Sequence, residues 1–309
     1  MIAQTGDRFR DFAPYVASIN DEGIVAFQAA LTSGGSGVFT GDGVNTTKIV
    51  ETGDFGIAEV ISHPDINVAG SVCFYAQIKD GRQCVMLIRN GMVSVEGTGA
   101  GPLGPTLNET GTVAYRASLP TGESAIFAGD QQVAKTGGRF VGFQGLPVIN
   151  SHGSVAFRAD LDKRGEGIYV WKEGQIEAVA ETGDTYSALG RFPMIDDTAR
   201  VAFVAELCEG GPAVSTSTEG RHVTGDFESI RGVLINENCD LVVYATPPEG
   251  SLGIYHGGAR ILGIGDHLFG SAVCDFALNP VSINTRGQLA IRIKLVDDRQ
   301  YILRADPIS

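Results

Sequence analysis

The sequence predicts an all-β fold, a seven-bladed β-propeller with four antiparallel strands per blade and an N-terminal strand that closes the last one. Three observations carry this. A segment reading Val148-Ile149-Asn150-Ser151-His152-Gly153-Ser154-Val155-Ala156-Phe157-Arg158-Ala159 recurs along the chain, with its Asn (or Asp) at positions 20, 67, 108, 150, 196, 236 and 284, spaced 40 to 48 residues apart. A second landmark, Thr-Gly-Asp, alternates with it. Between them the apolar residues alternate with period 2 and are rich in Val, Ile, Phe and Tyr, the pattern of strands. A repeat period in the forties with several strands per unit is the sequence mark of a propeller.

The fourth copy defines one unit. An inner strand ends at Ile149, Asn150 to Gly153 form a tight turn, and Val155 to Ala159 form the second strand. A loop over Asp160 to Glu166 leads to a third strand, Gly167 to Trp171, and Lys172 to Gly174 turn into a fourth, Gln175 to Glu181. Asn suits the first turn position because its side chain bonds the backbone two residues on. Gly three positions later supplies the positive φ that closes the hairpin. Gly23, Gly70, Gly111, Gly153 and Gly287 fill that position, whereas Ala199 and Cys239 replace it in the fifth and sixth copies, where altered hairpins are expected.

Thr-Gly-Asp appears intact at Thr5, Thr52, Thr182 and Thr224, and degenerate at Thr98-Gly99-Ala100, Thr136-Gly137-Gly138 and Ile264-Gly265-Asp266. Its Asp is read as the cap of its own loop. A ring of such carboxylates holding a cation in the channel is the alternative, and no other cofactor or metal is implied. The last repeat runs out after its third strand, Gln300 to Arg304, while Met1 to Gln4 precede a Thr-Gly-Asp as a fourth strand would. The two ends are therefore expected to pair, making residues 1–309 one ring without free edges.

The repeated motif Ile-Asn-x-x-Gly-x-Val-Ala-Phe-x-Ala, followed by Gly-Ile-Tyr or Gly-Val-Phe and then Thr-Gly-Asp, resembles a family of bacterial propeller-type repeat proteins of unknown function. The resemblance spans essentially the whole chain. It implies a propeller, carries no catalytic residues across, and belongs to a family whose members are often secreted or surface-anchored.

Composition narrows the partners. The 309 residues carry a net charge of -13, with 23 basic against 36 acidic residues and no local Lys/Arg cluster. Nucleic acid is therefore not an expected partner, and no apolar run is long enough to predict a membrane span. Five cysteines without a C-x-x-C spacing argue against a disulfide framework or structural zinc. Unpaired thiols and the lack of a basic-then-apolar N-terminus lead to an expectation of a cytoplasmic protein, or a secreted one if a signal peptide has been removed.

Because a residue present in every blade serves the fold, candidates for chemistry are those that depart from the repeat. The stretches between Thr-Gly-Asp and the Asn contain 7 to 17 residues. The longest, His267 to Ile283, directs attention to His267 with Asp266 and Asp275 as a general acid–base group at the channel mouth. Arg8 and Arg10 are a neighbouring anion clamp, and Phe269 is a ligand contact or a plug. His63, before Pro64 on an inner strand, is a second candidate. Arg116, Arg158 and Arg292 share one strand position and either face a ligand anion or pair with groups between blades. Asp160 and Asp162 are spaced like calcium ligands, but the Gly and closing Glu of such a loop are missing. No hydrolase, metalloprotease, P-loop or dinucleotide motif occurs. Two functions follow: a propeller that binds a small molecule, glycan or protein at its channel mouth, or a propeller lyase, hydrolase or cyclase acting through His267.

Overall fold

The computed structural model describes residues 1–307 except 219, 223–225, 237, 239 and 240. Seven antiparallel sheets form the seven blades. Blade 4 is the most regular, with strands Phe140–Ile149, Val155–Leu161, Glu166–Lys172 and Gln175–Glu181 in that order from the axis outward. The ring closes as the chain ends predict. Ala3–Gln4 pairs with Gln300–Ala305, with Ala3 opposite Ile302 and Gln4 opposite Tyr301, as the outermost strand of blade 7.

The inner strands are interrupted, and proline is the reason. Pro64, Pro105, Pro147 and Pro193 each stand three residues before a hairpin Asn or Asp. Proline has no N–H for the ladder, so the strand breaks or bulges there. Blade 2 accordingly has Ile57–Val60 and Asp65–Ile66 as separate halves, and blade 5 has Tyr186–Leu189 and Met194–Ile195. In blade 4 the register shifts between Gln144 and Val148. Blade 3 keeps only the lower half, Thr106–Leu107.

The Val-Ala-Phe-x-Ala strand is buried on both faces, and its alternation sets how blades stack. Phe27 packs with Phe9, Phe12 and Phe39 and with Ala290 and Ile302 of blade 7. Ala26, on the opposite face, lies in the cluster that holds Phe74 and Val72 of blade 2. A large ring on one face and a small side chain on the other lets adjacent sheets interlock without voids.

The hairpin asparagines do more than shape their turns. Each Oδ1 accepts local N–H groups, as at Asn150 from His152 (3.1 Å) and Ser154 (2.9 Å). Each Nδ2 then donates to the backbone carbonyl of the next hairpin residue round the ring. Asn20 reaches Asn67 (2.9 Å), Asn67 reaches Asn108 (3.1 Å), and Asn108 reaches Asn150 (3.2 Å). Asn150 reaches Asp196 (2.9 Å), Asn236 reaches Asn284 (3.3 Å), and Asn284 returns to Asn20 (2.9 Å). Asp196, lacking an amide, pairs instead with Arg200 at 2.9 Å. These asparagines are buried, so the repeated Asn is an inter-blade clasp as well as a turn residue.

The fifth hairpin corrects one expectation. It is not altered: the Ala199 N–H donates to the Asp196 carbonyl at 3.0 Å as in the other copies, and Ala199 takes φ 63. The fold imposes the left-handed conformation on a residue that resists it. Ala199→Gly is expected to raise the unfolding free energy by about 1 kcal/mol, read as a higher denaturant midpoint at unchanged slope. The matching substitution at Cys239 lies outside the described residues.

Thr-Gly-Asp is structural in the same sense. The Thr52 hydroxyl bonds both the N–H (3.0 Å) and the carbonyl (3.1 Å) of Ser36, tying the outer strand to the third. The Asp54 carboxylate caps its loop by accepting from the Glu51 N–H at 3.0 Å.

Candidate functional site

The proline-interrupted segments bulge around the axis and enclose a cavity of about 770 Å³ on the face opposite the Asn ring. Pro14 to Val16 of blade 1, Ile61 of blade 2, Gly99 to Leu103 of blade 3, Leu146 of blade 4, Phe192 of blade 5 and Leu278 of blade 7 form its apolar wall. The polar groups are few: the Tyr15 hydroxyl, His63, Tyr75, Gln83, Ser118, Tyr244 and Asn279. Among the described residues no Lys, Arg, Asp or Glu lines it.

His63 and Asn279 close the cavity below. Both are buried, and His63 Nε2 lies 3.2 Å from Asn279 Nδ2. The amide orientation follows from its surroundings, because Asn279 Oδ1 accepts the Val281 N–H at 3.1 Å while capping the turn Pro280–Ser282. Nδ2 therefore donates to His63, which puts the imidazole proton on Nδ1. Gly104 packs against the other side of the ring, so closely that a Cβ there would stand 2.5 Å from His63 Cε1. Below this level lies a smaller space of about 170 Å³ girdled by the asparagine ring.

The cavity is electrically neutral over a wide pH range. Burial pulls the His63 pKa down to about 4 and pushes the Tyr244 phenol up to about 12. The Tyr75 phenol is raised further by burial, and Tyr15 is raised by burial and then by Glu59. All three phenols thus stay O–H donors. Leu103, at the mouth, holds φ 80 and is 38% exposed. A strained, exposed leucine at a cavity entrance is the kind of local cost found at binding sites.

Of the residues singled out from sequence, the structure brings only His63 to this cavity. His267 starts a short hairpin, His267–Leu268 against Ser271–Ala277, and is exposed. The extra length of the seventh stretch is spent on this hairpin, which folds back over its own blade. Phe269 at its tip stacks on Tyr301 at 4.5 Å, and Arg299 donates to the Phe269 carbonyl at 2.8 Å. Phe269 therefore does not plug the channel, and Phe276 is buried in the core. Asp266 is tied to Arg260 and accepts from the Gly263 N–H at 2.8 Å.

Arg8 pairs with Glu51 (2.5 Å) and covers the Phe39 ring at 4.6 Å, while Arg10 is exposed on blade 1. Of the three arginines of the second strands, Arg116 reaches the next blade and the other two pair within their own. Arg116 donates to the Phe143 carbonyl and, at 3.4 Å, to that of Gly101. Arg158 pairs with Asp160 and with Glu166 (2.6 Å), and Arg292 pairs with Asp275 at 2.9 Å. At the equivalent position of blades 2 and 6 stand Tyr75 and Tyr244, which do reach the cavity.

Among the described residues no group of three His, Cys, Asp or Glu stands close enough to hold a metal ion, and no helix is long and apolar enough to cross a membrane. Cys73, Cys84, Cys208 and Cys274 are free thiols.

A model for a family of unknown function, DUF7453, matches residues 1–218. The chain belongs to this family. A comparison with curated proteins finds no match. Among solved structures, this DUF7453 chain is similar to an oligogalacturonate lyase in complex with manganese, at 13% identity over 99% of this chain and 96% of that one, TM-score 0.58. It is also similar to the WD40 β-propeller domain of Doa1, at 12% identity over 99% and 98%, TM-score 0.51. An acylaminoacyl peptidase from Pyrococcus horikoshii matches at 12% identity over 96% of this chain and 53% of that one, TM-score 0.55. At these identities the likeness shows the fold alone.

The buried imidazole sets a pH dependence for the DUF7453 propeller. The folded pKa of His63 lies below its ordinary 6.5, so its contribution to stability is complete above 6.5 and is lost as pH falls toward about 4. Asp65, two residues on, works the other way. Burial pushes its carboxyl up to about 7 despite N–H donors from Leu107 (2.7 Å) and Ile66 (2.8 Å), so its penalty grows as pH rises toward 7. The two offset each other in the native chain. His63→Phe removes one of them, and the stability gap between native and variant is expected to be about 2 kcal/mol smaller at pH 5 than at pH 7 in urea unfolding.

Proposed function

We propose that this propeller is a non-catalytic receptor for an uncharged small molecule or short neutral glycan, held in the axial cavity above His63. The carrying observation is the cavity lining: aromatic and aliphatic faces, isolated O–H and amide groups and, among the described residues, no ionised side chain. Such a surface takes molecules with apolar ring faces and hydroxyl or amide groups, since it can stack the former and hydrogen-bond the latter. An anion would find no Arg or Lys there, in a chain whose net charge is already -13.

An acid–base enzyme centred on His267 draws less support. His267 is exposed, and Asp266 is bound to Arg260 and Asp275 to Arg292. His63 itself is a poor general base, because burial holds its pKa far below neutrality and its accepting nitrogen is occupied by Asn279.

A thermal-shift screen of neutral sugars and uncharged metabolites against their carboxylated and phosphorylated counterparts tests the reading. Val16 is half-buried at the mouth, so Val16→Trp fills the entrance with little demand on the core. Neutral compounds are expected to raise the midpoint of the native protein, by about 2.7 kcal/mol in stability at a hundredfold excess over Kd, and to leave Val16→Trp unmoved. Stabilisation by anions alone, or equal stabilisation of both proteins, would overturn it.

A further inference from the structure

We propose that the ligand of the axial cavity is a linear chain, of the neutral oligosaccharide class, whose distal units run outward in a groove between blades 2 and 3. This rests on the axial-cavity reading and extends it.

The groove arises from the shortest stretch in the repeat. In blades 1, 2 and 5 an upper inner strand, such as Ile57–Val60, covers the far end of the second strand. Blade 3 has only seven residues between Ala100 and Asn108, and its landmark is Thr98-Gly99-Ala100. Seven residues span too little to cover the blade and still reach the axis. All that remains of the upper pairing is a bridge between Ala100 and Ala117.

The end of the second strand is left open as a groove of about 630 Å³, which shares Gln83, Gly99 and Ser118 with the axial cavity. The two spaces are therefore adjacent.

The chemistry of the groove continues that of the cavity. Gln83 and Ser118 are exposed at the junction, and neither side chain makes a hydrogen bond among the described residues. Farther out, Phe127 is half-buried, stacked on Tyr115 at 5.2 Å, and flanked by Leu119 and Pro120. The first charge met is Arg82 at the rim, and Asp80 neutralises it at 2.8 Å. Free amide and hydroxyl groups followed by an aromatic face suit successive sugar units, which present hydroxyls at their edges and C–H groups on their faces.

Gly99 is built into this opening. It holds φ 73, and a Cβ there would stand 2.4 Å from the Ser118 carbonyl oxygen, so no other residue keeps the link flat against the strand.

The experiment is calorimetric titration with neutral linear gluco-, manno-, xylo- and chito-oligosaccharides of one to six units. It uses the native chain, Ser118→Trp and Gln83→Ala, each checked for an unchanged melting midpoint in the absence of sugar. In at least one series the affinity is expected to rise by roughly tenfold or more between one and four units. Ser118→Trp should abolish the rise of affinity with length, and Gln83→Ala should weaken the longer sugars in part. Affinity independent of length, with both variants like the native chain, would overturn the groove and leave the axial site standing. No binding by any neutral sugar, while other uncharged compounds still stabilise the native chain and fail on Val16→Trp, would overturn the oligosaccharide class. Failure of both would overturn the axial reading as well.

Discussion

Removing residues 1–5 is expected to lower the unfolding free energy by about 5 kcal/mol or more, the largest effect of any short deletion. The segment buries Ile2 and Ala3 against the ring. Ile2 N–H bonds the Ile302 carbonyl at 2.8 Å, Thr5 N–H bonds the Gln300 carbonyl at 2.9 Å, and the Thr5 hydroxyl accepts from the Gln300 N–H at 2.9 Å. Ile2 also fills the space over Gly41, where a Cβ would lie 2.7 Å from its Cγ2. Deletion thus removes a buried aliphatic side chain and the pairing of Gln300–Ala305 together. It also leaves that strand as an exposed edge, so the truncated chain should self-associate as it loses stability. Chemical denaturation with sedimentation analysis reads both effects, and a truncated chain that stayed monomeric at native stability would contradict the closure.

Asn150→Asp is expected to cost about 2–4 kcal/mol at neutral pH. The substitution keeps the two local hydrogen bonds on Oδ1 but replaces the donor that reaches the Asp196 carbonyl at 2.9 Å. A carboxylate would then face a carbonyl oxygen in a buried place. Its folded pKa must rise, so the penalty is full above that value and falls away as pH drops below it, when the neutral acid again donates a hydrogen bond. Partial rescue between pH 7.5 and pH 5 separates the inter-blade clasp from a simple turn defect, which acid would not repair. Asp196 escapes this penalty because Arg200 pairs with it at 2.9 Å.

Blade hairpins, strand order and ring closure were legible because each is written locally, in residues repeated every 40 to 48 positions. The glycines of five hairpins take the positive φ that their position implies. Ala199 shows the limit of that logic, since the surrounding ring enforces the turn even where the residue opposes it.

The cavity was less legible. An insertion draws attention, and the long stretch at His267 became an exposed hairpin lying on its own blade. A deletion shapes the open space instead, through the seven-residue link of blade 3. Arg116, Arg158 and Arg292 stood out for their charge, yet the same strand position serves the cavity through Tyr75 and Tyr244. Which side chains meet at the axis depends on where each inner strand bulges and on how seven blades close, and neither is encoded in one repeat. His63 was findable because a histidine before Pro64 breaks the apolar pattern of an inner strand.

With five histidines in the chain, one measurement tests the central claim directly: the imidazole resonances of histidine-labelled protein, followed through titration with a stabilising neutral compound. With the ligand in the axial cavity, the His63 signals are expected to shift saturably and not to titrate with pH above about 5, while those of His267 ignore the ligand. Movement of His267 with His63 unchanged would contradict it.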